Sequence, residues 1–466
     1  MIRTAVSFRD LSRRFYIYAR STEHTHRRQR PPLPFRFSVP FLISSFLQTF
    51  YGLADLFITG QFNGAASITA VSIGSQLMHM LTVMIVGLAM GSTVLIGRSV
   101  GAGQPEKTAR SIGNTITLFT GVAAVSTLLL LFFADGILKL LATPPEAVSE
   151  AKAYVTICFA GVPFITAYNV ISSIYRGLGD TKTPLKFVAI AGVINIILDW
   201  ILIGPFSMGA AGAAAATVTA QAFSVLLAAA SLRRLPPEIR FGASDLPPDP
   251  ETFPALLAVG LPIMLQDGFI QISFLVITAI GNMRGVNAAA GIGIVEKIIS
   301  FLFLVPSSML SSVAALCSMN AGAGKHDRSR EVLRSGIAAG VVFGCFTAVV
   351  CNLCPEQILR LFAREETAVI TAGAQYLRTY VTDCIFASVH FCFSGYFSAY
   401  GRSGYSFLHN LLSILLFRIP GAYFASVLFP ETLGPMGMAA PAGSLFSAIL
   451  CLFLYYRMQR QEAGLK

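Results

Sequence analysis

The chain has 466 residues, of which 54% are hydrophobic and 12% charged, and a formal net charge of +11. So apolar a composition excludes a soluble globular protein. The basic surplus does not indicate a nucleic-acid partner, because it lies in the first residues and in short connections between apolar runs, where membrane topology explains it.

Residues 1–36 hold nine Arg against two acids and lack the apolar core of a signal peptide. They read as a basic tail or the product of an upstream start codon. An organellar presequence and an arm on an anionic leaflet are the other readings. From residue 37 the chain becomes a series of low-charge segments, each about long enough to cross roughly 30 Å of hydrocarbon. Six fall in a first lobe over 37–231, at about 38–59, 68–97, 111–134, 154–175, 187–204 and 209–231. A polar stretch with two Pro-Pro pairs, 232–253, reads as a cytoplasmic linker. Six more spans fill a second lobe over 254–457, at about 254–281, 288–318, 333–354, 376–399, 406–429 and 435–456. Residues 458–466 form a cytoplasmic tail. The fold class is an all-α membrane protein of twelve transmembrane helices in two pseudo-symmetric six-helix lobes.

The lobes repeat one another. Pro262 follows Pro40 by 222 residues and Gly322 follows Gly101 by 221; Tyr175-Arg176-Gly177-Leu178-Gly179 is matched by Tyr396 to Gly401. Six helices per copy is an even number, so both copies start on the same side and the symmetry axis runs along the membrane normal. With the N-terminus inside, inner connections hold fourteen Lys and Arg and outer ones six, which places both termini in the cytoplasm.

An acid inside a span costs several kcal/mol unless it is paired, protonated or hydrated, so each is a functional candidate. Asp55 lies in the first span, fifteen residues after Pro40, where a missing backbone bond offers a bend. Asn195 and Asp199, four apart, share one face of the fifth span. With a hydroxyl such as Thr217 in the sixth, these form an all-oxygen constellation suited to Na⁺, or to two carboxylates sharing a proton. Asp267, with its neighbour Gln266, and Glu296 are candidates to line a substrate cleft; Glu296 and the adjacent Lys297 point about 100° apart and do not pair. Asp383, His390, His409 and Arg418 read as buried polar glue or boundary residues, and His79 as a packed, hydrogen-bonded histidine. The small-residue run Gly209 to Ala222 reads as a close-contact face. The eight cysteines, including the Cys351–Cys354 pair, read as apolar packing, with no metal site.

The chain resembles the multidrug and toxic compound extrusion (MATE) transporters over about residues 37–457, closest to the prokaryotic DinF-like or MepA-like branch. The matching pieces are the Pro40 helix with Tyr51-Gly52-Leu53-Ala54-Asp55, the Gly101-Ala102-Gly103 turn, and Arg176 to Pro184. Asn195-Ile196-Ile197-Leu198-Asp199, Gly209 to Thr217 and Asn320 to Lys325 complete them. The resemblance implies a V-shaped, two-lobed antiporter of the cytoplasmic membrane that exports organic, usually cationic, compounds against H⁺ or Na⁺. It implies that Asp55, Asn195, Asp199 and Thr217 bind the coupling cation and that Pro40 bends the first helix. No catalytic residue and no cofactor beyond the ion is expected, and the chain is expected to act as a monomer. Two alternatives stand beside this reading. A lipid-linked saccharide flippase would need more cations in its spans. An intramembrane aspartyl protease is suggested by Gly177-Leu178-Gly179-Asp180, although Asp180 sits in a polar turn.

Overall fold

Hydrocarbon offers no water to bond backbone groups, so spanning segments close their hydrogen bonds internally as helices. The computed structural model describes residues 33–141, 143–363 and 366–464, and among these there is no strand. The basic tail up to residue 32 lies outside the described residues. The chain runs through α1 (Leu33–Phe62), α2 (Ala65–Gly101), α3 (Pro105–Leu140), α4 (Pro145–Ala160), α5 (Val162–Gly177), α6 (Lys182–Ile203) and α7 (Gly209–Leu232). It continues as α8 (Thr252–Asn282), α9 (Val286–Leu302), α10 (Leu304–Gly322), α11 (His326–Leu353), α12 (Pro355–Arg360), α13 (Thr367–Tyr380), α14 (Asp383–Ala399) and α15 (Ser403–Ser413). A π-helical turn at Ile414–Arg418 leads into α16 (Ile419–Leu428), followed by α17 (Gly434–Gly437) and α18 (Ala439–Gly464).

Among the described residues, ten helices are long and apolar enough to span, or eleven when α4 and α5, bent by 46°, count as one. The tenth expected span, 376–399, is there as two pieces. The helix is interrupted at Val381-Thr382, between α13 and α14, and neither piece reaches spanning length alone. The fourth span breaks at Gly161, just before Pro163, because proline cannot bond back into the preceding turn.

The duplication extends to the backbone. Gly103 and Gly179 have φ of 66° and 85°, and their counterparts Gly324 and Gly401 have 70° and 73°. Each closes a helix with a left-handed residue that side chains disfavour. The amide after each turn reaches back five residues, as in Gln104 N to Ser99 O and Lys325 N to Asn320 O (3.0 and 2.8 Å).

The chain divides into two compact units. The first takes Pro40–Gly260, and the second takes 261 onward together with 33–39. The divisions fall at Pro40 and within two residues of Pro262, the prolines that begin the repeat. The first unit's core joins Ala70, Val71, Tyr154, Phe159, Ile203 and Ala213. The second has one core around Ile292, Ile299, Leu377 and Tyr380 and another around Met309, Val313, Phe393 and Phe397.

The stretch expected as a linker is strapped to the first unit. Asn114 on α3 donates from Nδ2 to the Asp245 carbonyl (3.1 Å), and its Oδ1 accepts the Asp249 amide (2.7 Å). Thr117 donates to the Leu246 carbonyl (2.6 Å), Arg110 pairs with Asp249 (3.5 Å), and Ile239 is buried. A Cβ on Gly113 would lie 2.4 Å from the Asp245 carbonyl, so the close approach needs glycine there. Hydrogen bonds from Thr252, at the start of α8, hold the Asp249 carboxyl below its usual range. Asn114→Leu removes both strap bonds, each contributing about 1 kcal/mol. Limited trypsin digestion of Asn114→Leu is therefore expected to cut after the exposed Arg240 about tenfold faster than wild type, without loss of the helical far-UV signal.

Candidate functional site

In α6 the buried positions are Pro184, Val188, Ala191, Asn195, Asp199 and Ile203, one stripe at helical spacing. The polar pair thus belongs to the inward face, while Val193, Ile197, Trp200 and Ile201 point outward. α7 approaches through small residues: Ala210, Gly212, Ala213, Ala214 and Ala216 are buried, and a Cβ on Gly212 would stand 3.3 Å from the Leu202 backbone. α1 is arranged inside out compared with a soluble helix. Its Phe50, Leu53 and Phe57 are exposed, while Asp55 is only 4% exposed.

The three helices bring the four expected residues together. Thr217 Oγ1 donates to Asp55 Oδ2 (3.1 Å) and accepts from Asn195 Nδ2 (3.3 Å). The Asp199 carboxyl interacts directly with that of Asp55. Four shielded oxygens lack a hydrogen-bond partner: Asp55 Oδ1, Asn195 Oδ1 and both oxygens of Asp199. No basic side chain forms an ion pair with either acid among the described residues. Two facing carboxylates without a donor between them repel one another in a medium of low dielectric. A shared proton or a bound cation resolves this.

Sequence reading did not anticipate the supporting layer. Thr59 Oγ1 bonds to the Asp55 carbonyl (2.7 Å), and Gln221 Nε2 donates to the Tyr51 hydroxyl (3.0 Å). Pro40 is buried within α1, and the Ser44 hydroxyl returns to its carbonyl (2.9 Å). Arg176 is buried, with its guanidinium 4.9 Å from the centre of the Phe41 ring beside Pro40. No spacing rule joins those residues, which are 135 positions apart.

The second unit holds ionisable groups of its own. Arg418, in the π-helical turn, donates to Asp383 Oδ2 (2.8 Å) and Ser444 Oγ (3.1 Å). Both charged residues are buried, and Gly443 leaves the space that the Arg418 stem occupies, since a Cβ there would come within 2.9 Å of it. His390 and His409 are buried, with ring centres 5.4 Å apart. Glu296 Oε2 lies 2.7 Å from Thr278 Oγ1. Gln266 is buried and interacts with the half-buried Asp267, but neither bonds to Glu296 among the described residues. Lys297 is exposed.

Two expectations change. His79 is exposed on α2 and makes no hydrogen bond among the described residues, not packed as the sequence suggests. Cys345 and Cys354 are exposed, whereas the other six cysteines are buried, and all are free thiols. No group of three or more His, Cys, Asp or Glu among the described residues could hold a metal. Asp180 is used up as a helix cap: its Oδ1 accepts the Lys182 and Thr183 amides (2.9 and 3.1 Å) and its Oδ2 the Thr183 hydroxyl. A protease carboxylate would need to be free, so the protease alternative loses its residue.

Two repeated units of apolar helices with buried acids define a secondary transporter. The chain belongs to the MatE family, a family of transporters and not of enzymes, whose model matches residues 40–201 and 262–424. It is 30% identical to the "Probable multidrug resistance protein YpnP" of Bacillus subtilis over 430 residues, covering 92% of this chain and 95% of that one. It is 25% identical to multidrug resistance protein MdtK of Pectobacterium atrosepticum, over 92% and 95% of the two chains. Its fold matches the outward-facing conformation of a multidrug resistance MATE transporter of the MOP superfamily, with TM-score 0.86, 22% identity and coverage of 93% and 96%. A MOP superfamily transporter from Pyrococcus furiosus matches at TM-score 0.84 and 23% identity, over 91% and 95%.

Removing one partner of a buried ion pair strands the other charge, at about 3–5 kcal/mol. Arg418→Leu is expected to lower the thermal unfolding midpoint of the detergent-solubilised protein sharply. Adding Asp383→Asn to it should restore part of that loss.

Proposed function

We propose that the chain is an antiporter of the plasma membrane that exports organic, lipophilic and cationic compounds, driven by H⁺ or Na⁺ entering through the first unit. The observation that carries this reading is the cluster of partnerless oxygens on Asp55, Asn195 and Asp199, bridged by Thr217. All are hard oxygen donors, which suit a small hard cation. A proton shared by the two carboxyls would satisfy the same atoms. The relatives named as multidrug resistance proteins support the substrate class. Both termini lie in the cytoplasm on the distribution of Lys and Arg. The unit of transport is a single chain, with no cofactor besides the coupling ion.

Binding at this site acts on α1, where Pro40 lacks the amide that would otherwise stiffen the helix and marks the division between the units. Loading the ion draws the part of α1 beyond Pro40 toward α6 and α7, which changes the space left for the exported compound. A lipid-linked saccharide fits less well. Its phosphates need free cations, whereas Arg418 is already paired with Asp383 and Lys297 is exposed.

Purified protein in liposomes, given an imposed ΔpH or ΔNa⁺ and a lipophilic cationic dye, tests the reading. Asp55→Asn and Asp199→Asn should each cut gradient-driven dye transport by more than about tenfold, a loss of at least about 1.4 kcal/mol of coupling. Transport at the wild-type rate in both variants would remove the site assignment.

A further inference from the structure

α1 carries a polar stripe between its proline and its acid. Ser44, Gln48, Tyr51 and Asp55 recur at intervals of three and four residues, the spacing of one helical face, and Phe41 precedes Ser44 on that face. Two other helices meet the stripe. On α7, Gln221 Nε2 donates to the Tyr51 hydroxyl, and its Oε1 is shielded without a partner. On α5, Tyr168 interacts with Gln48 and Tyr51, and its hydroxyl donates to the Pro184 carbonyl of α6 (3.3 Å). Tyr51 in turn interacts with Asp55. A file of polar groups therefore runs from the acid pair back toward the start of α1, about 21 Å along the helix from Asp55 to Phe41.

At the far end of this file stands a cation. Arg176, eight residues after Tyr168 on α5, is buried under the Phe41 ring, and it interacts with Tyr168. It forms no ion pair with an acid among the described residues, and its Nε is shielded without a partner. Asp180, the acid nearest in sequence, is committed to the Lys182 and Thr183 amides. Arg418, the buried guanidinium of the second unit, has Asp383 as its counter-ion. A buried cation without a counter-ion costs stability and marks a functional position.

The support of Arg176 is fixed, whereas its cover sits on a helix that can bend. Thr93 of α2 donates to the Ser173 carbonyl (3.1 Å), and a Cβ on Gly177 would lie 2.8 Å from Ile96 of α2. The end of α5 is thus pressed against α2. Phe41 belongs to α1, immediately after the proline that lacks a stiffening bond. A fixed guanidinium in a polar passage is an electrostatic barrier to protons and small cations.

We propose that Arg176 is the gate at the cytoplasmic end of the ion path in the first unit. Its charge, held over the path by the Phe41 ring, bars the coupling ion from that end. When α1 moves, the ring leaves the guanidinium, which turns to water and opens the way. The inference rests on the antiport reading and its topology, and it adds a residue that prevents the ion from crossing without cargo.

The test is passive ion leak in liposomes holding the full-length protein and no exported compound, read with entrapped pH-sensitive and Na⁺-sensitive dyes under an imposed ΔpH or ΔNa⁺. Arg176→Gln should leak the coupling ion at least about tenfold faster than wild type, equivalent to about 1.4 kcal/mol of barrier. Arg176→Lys, which keeps a positive charge, should stay close to the wild-type leak. Adding Asp55→Asn to Arg176→Gln should abolish the extra leak, because the ion passes through the acid pair. Arg176→Gln leaking neither ion faster than wild type overturns the inference and leaves the antiport reading intact. So does a leak that persists with Asp55→Asn, or one as fast in Arg176→Lys as in Arg176→Gln. Absence of gradient-driven dye transport by wild type removes the antiport reading itself, and the inference with it. If Arg176→Gln does not fold, Phe41→Leu decides. It keeps the guanidinium but removes the ring that holds it over the path, so the leak should rise; a Phe41→Leu leak equal to wild type overturns the inference.

Discussion

Two carboxyls set against each other without a counter-ion are unstable in hydrocarbon, and the first unit places Asp55 beside Asp199 with one hydroxyl, that of Thr217, donating to Asp55. The other features of that unit make the arrangement possible. α7 is built of alanine and glycine, which lets Thr217 reach both Asp55 and Asn195. α6 turns its only two polar mid-helix side chains inward on a buried stripe. α1 sends its large apolar side chains outward and its one acid inward. Stability alone would favour leucine at these positions. On the proposed antiport reading, the oxygens serve an ion that comes and goes among them.

The two units meet the same constraint differently. The second supplies Asp383 with a permanent partner, Arg418, seated where Gly443 makes room. A tethered guanidinium cannot be exchanged, so that pair fixes α14 to the π-helical turn and does not cycle. Glu296 has no tethered partner.

Much of this was legible in the sequence, and for a physical reason. Apolar runs, turn glycines and paired prolines are local signals, so the spans, the repeat and the positive-φ positions at Gly103, Gly179, Gly324 and Gly401 follow from short stretches of chain. Asn195 and Asp199 were legible because four residues is one helical turn. Asp55 was legible as an acid inside an apolar span and Thr217 as a nearby hydroxyl, and the resemblance to a family joined all four residues into one cation site. What stayed hidden were partners contributed by distant helices: Arg176 against Phe41, Thr278 against Glu296, Arg418 against Asp383, and Asn114 holding the supposed linker. The tenth span was expected as one helix because hydropathy measures length and not direction, and it misses the break at Val381-Thr382.

The central claim is that Asp55 and Asp199 share one exchangeable cation. Infrared difference spectroscopy of the protein in lipid reads it most directly, as the carbonyl stretch of a protonated carboxyl during a change of pH at fixed Na⁺ and of Na⁺ at fixed pH. The account predicts a protonated-carboxyl band that disappears as pH rises or as Na⁺ displaces the proton, and that is absent from Asp199→Asn. A band that neither change affects, or one that persists unaltered in Asp199→Asn and Asp55→Asn, would contradict it.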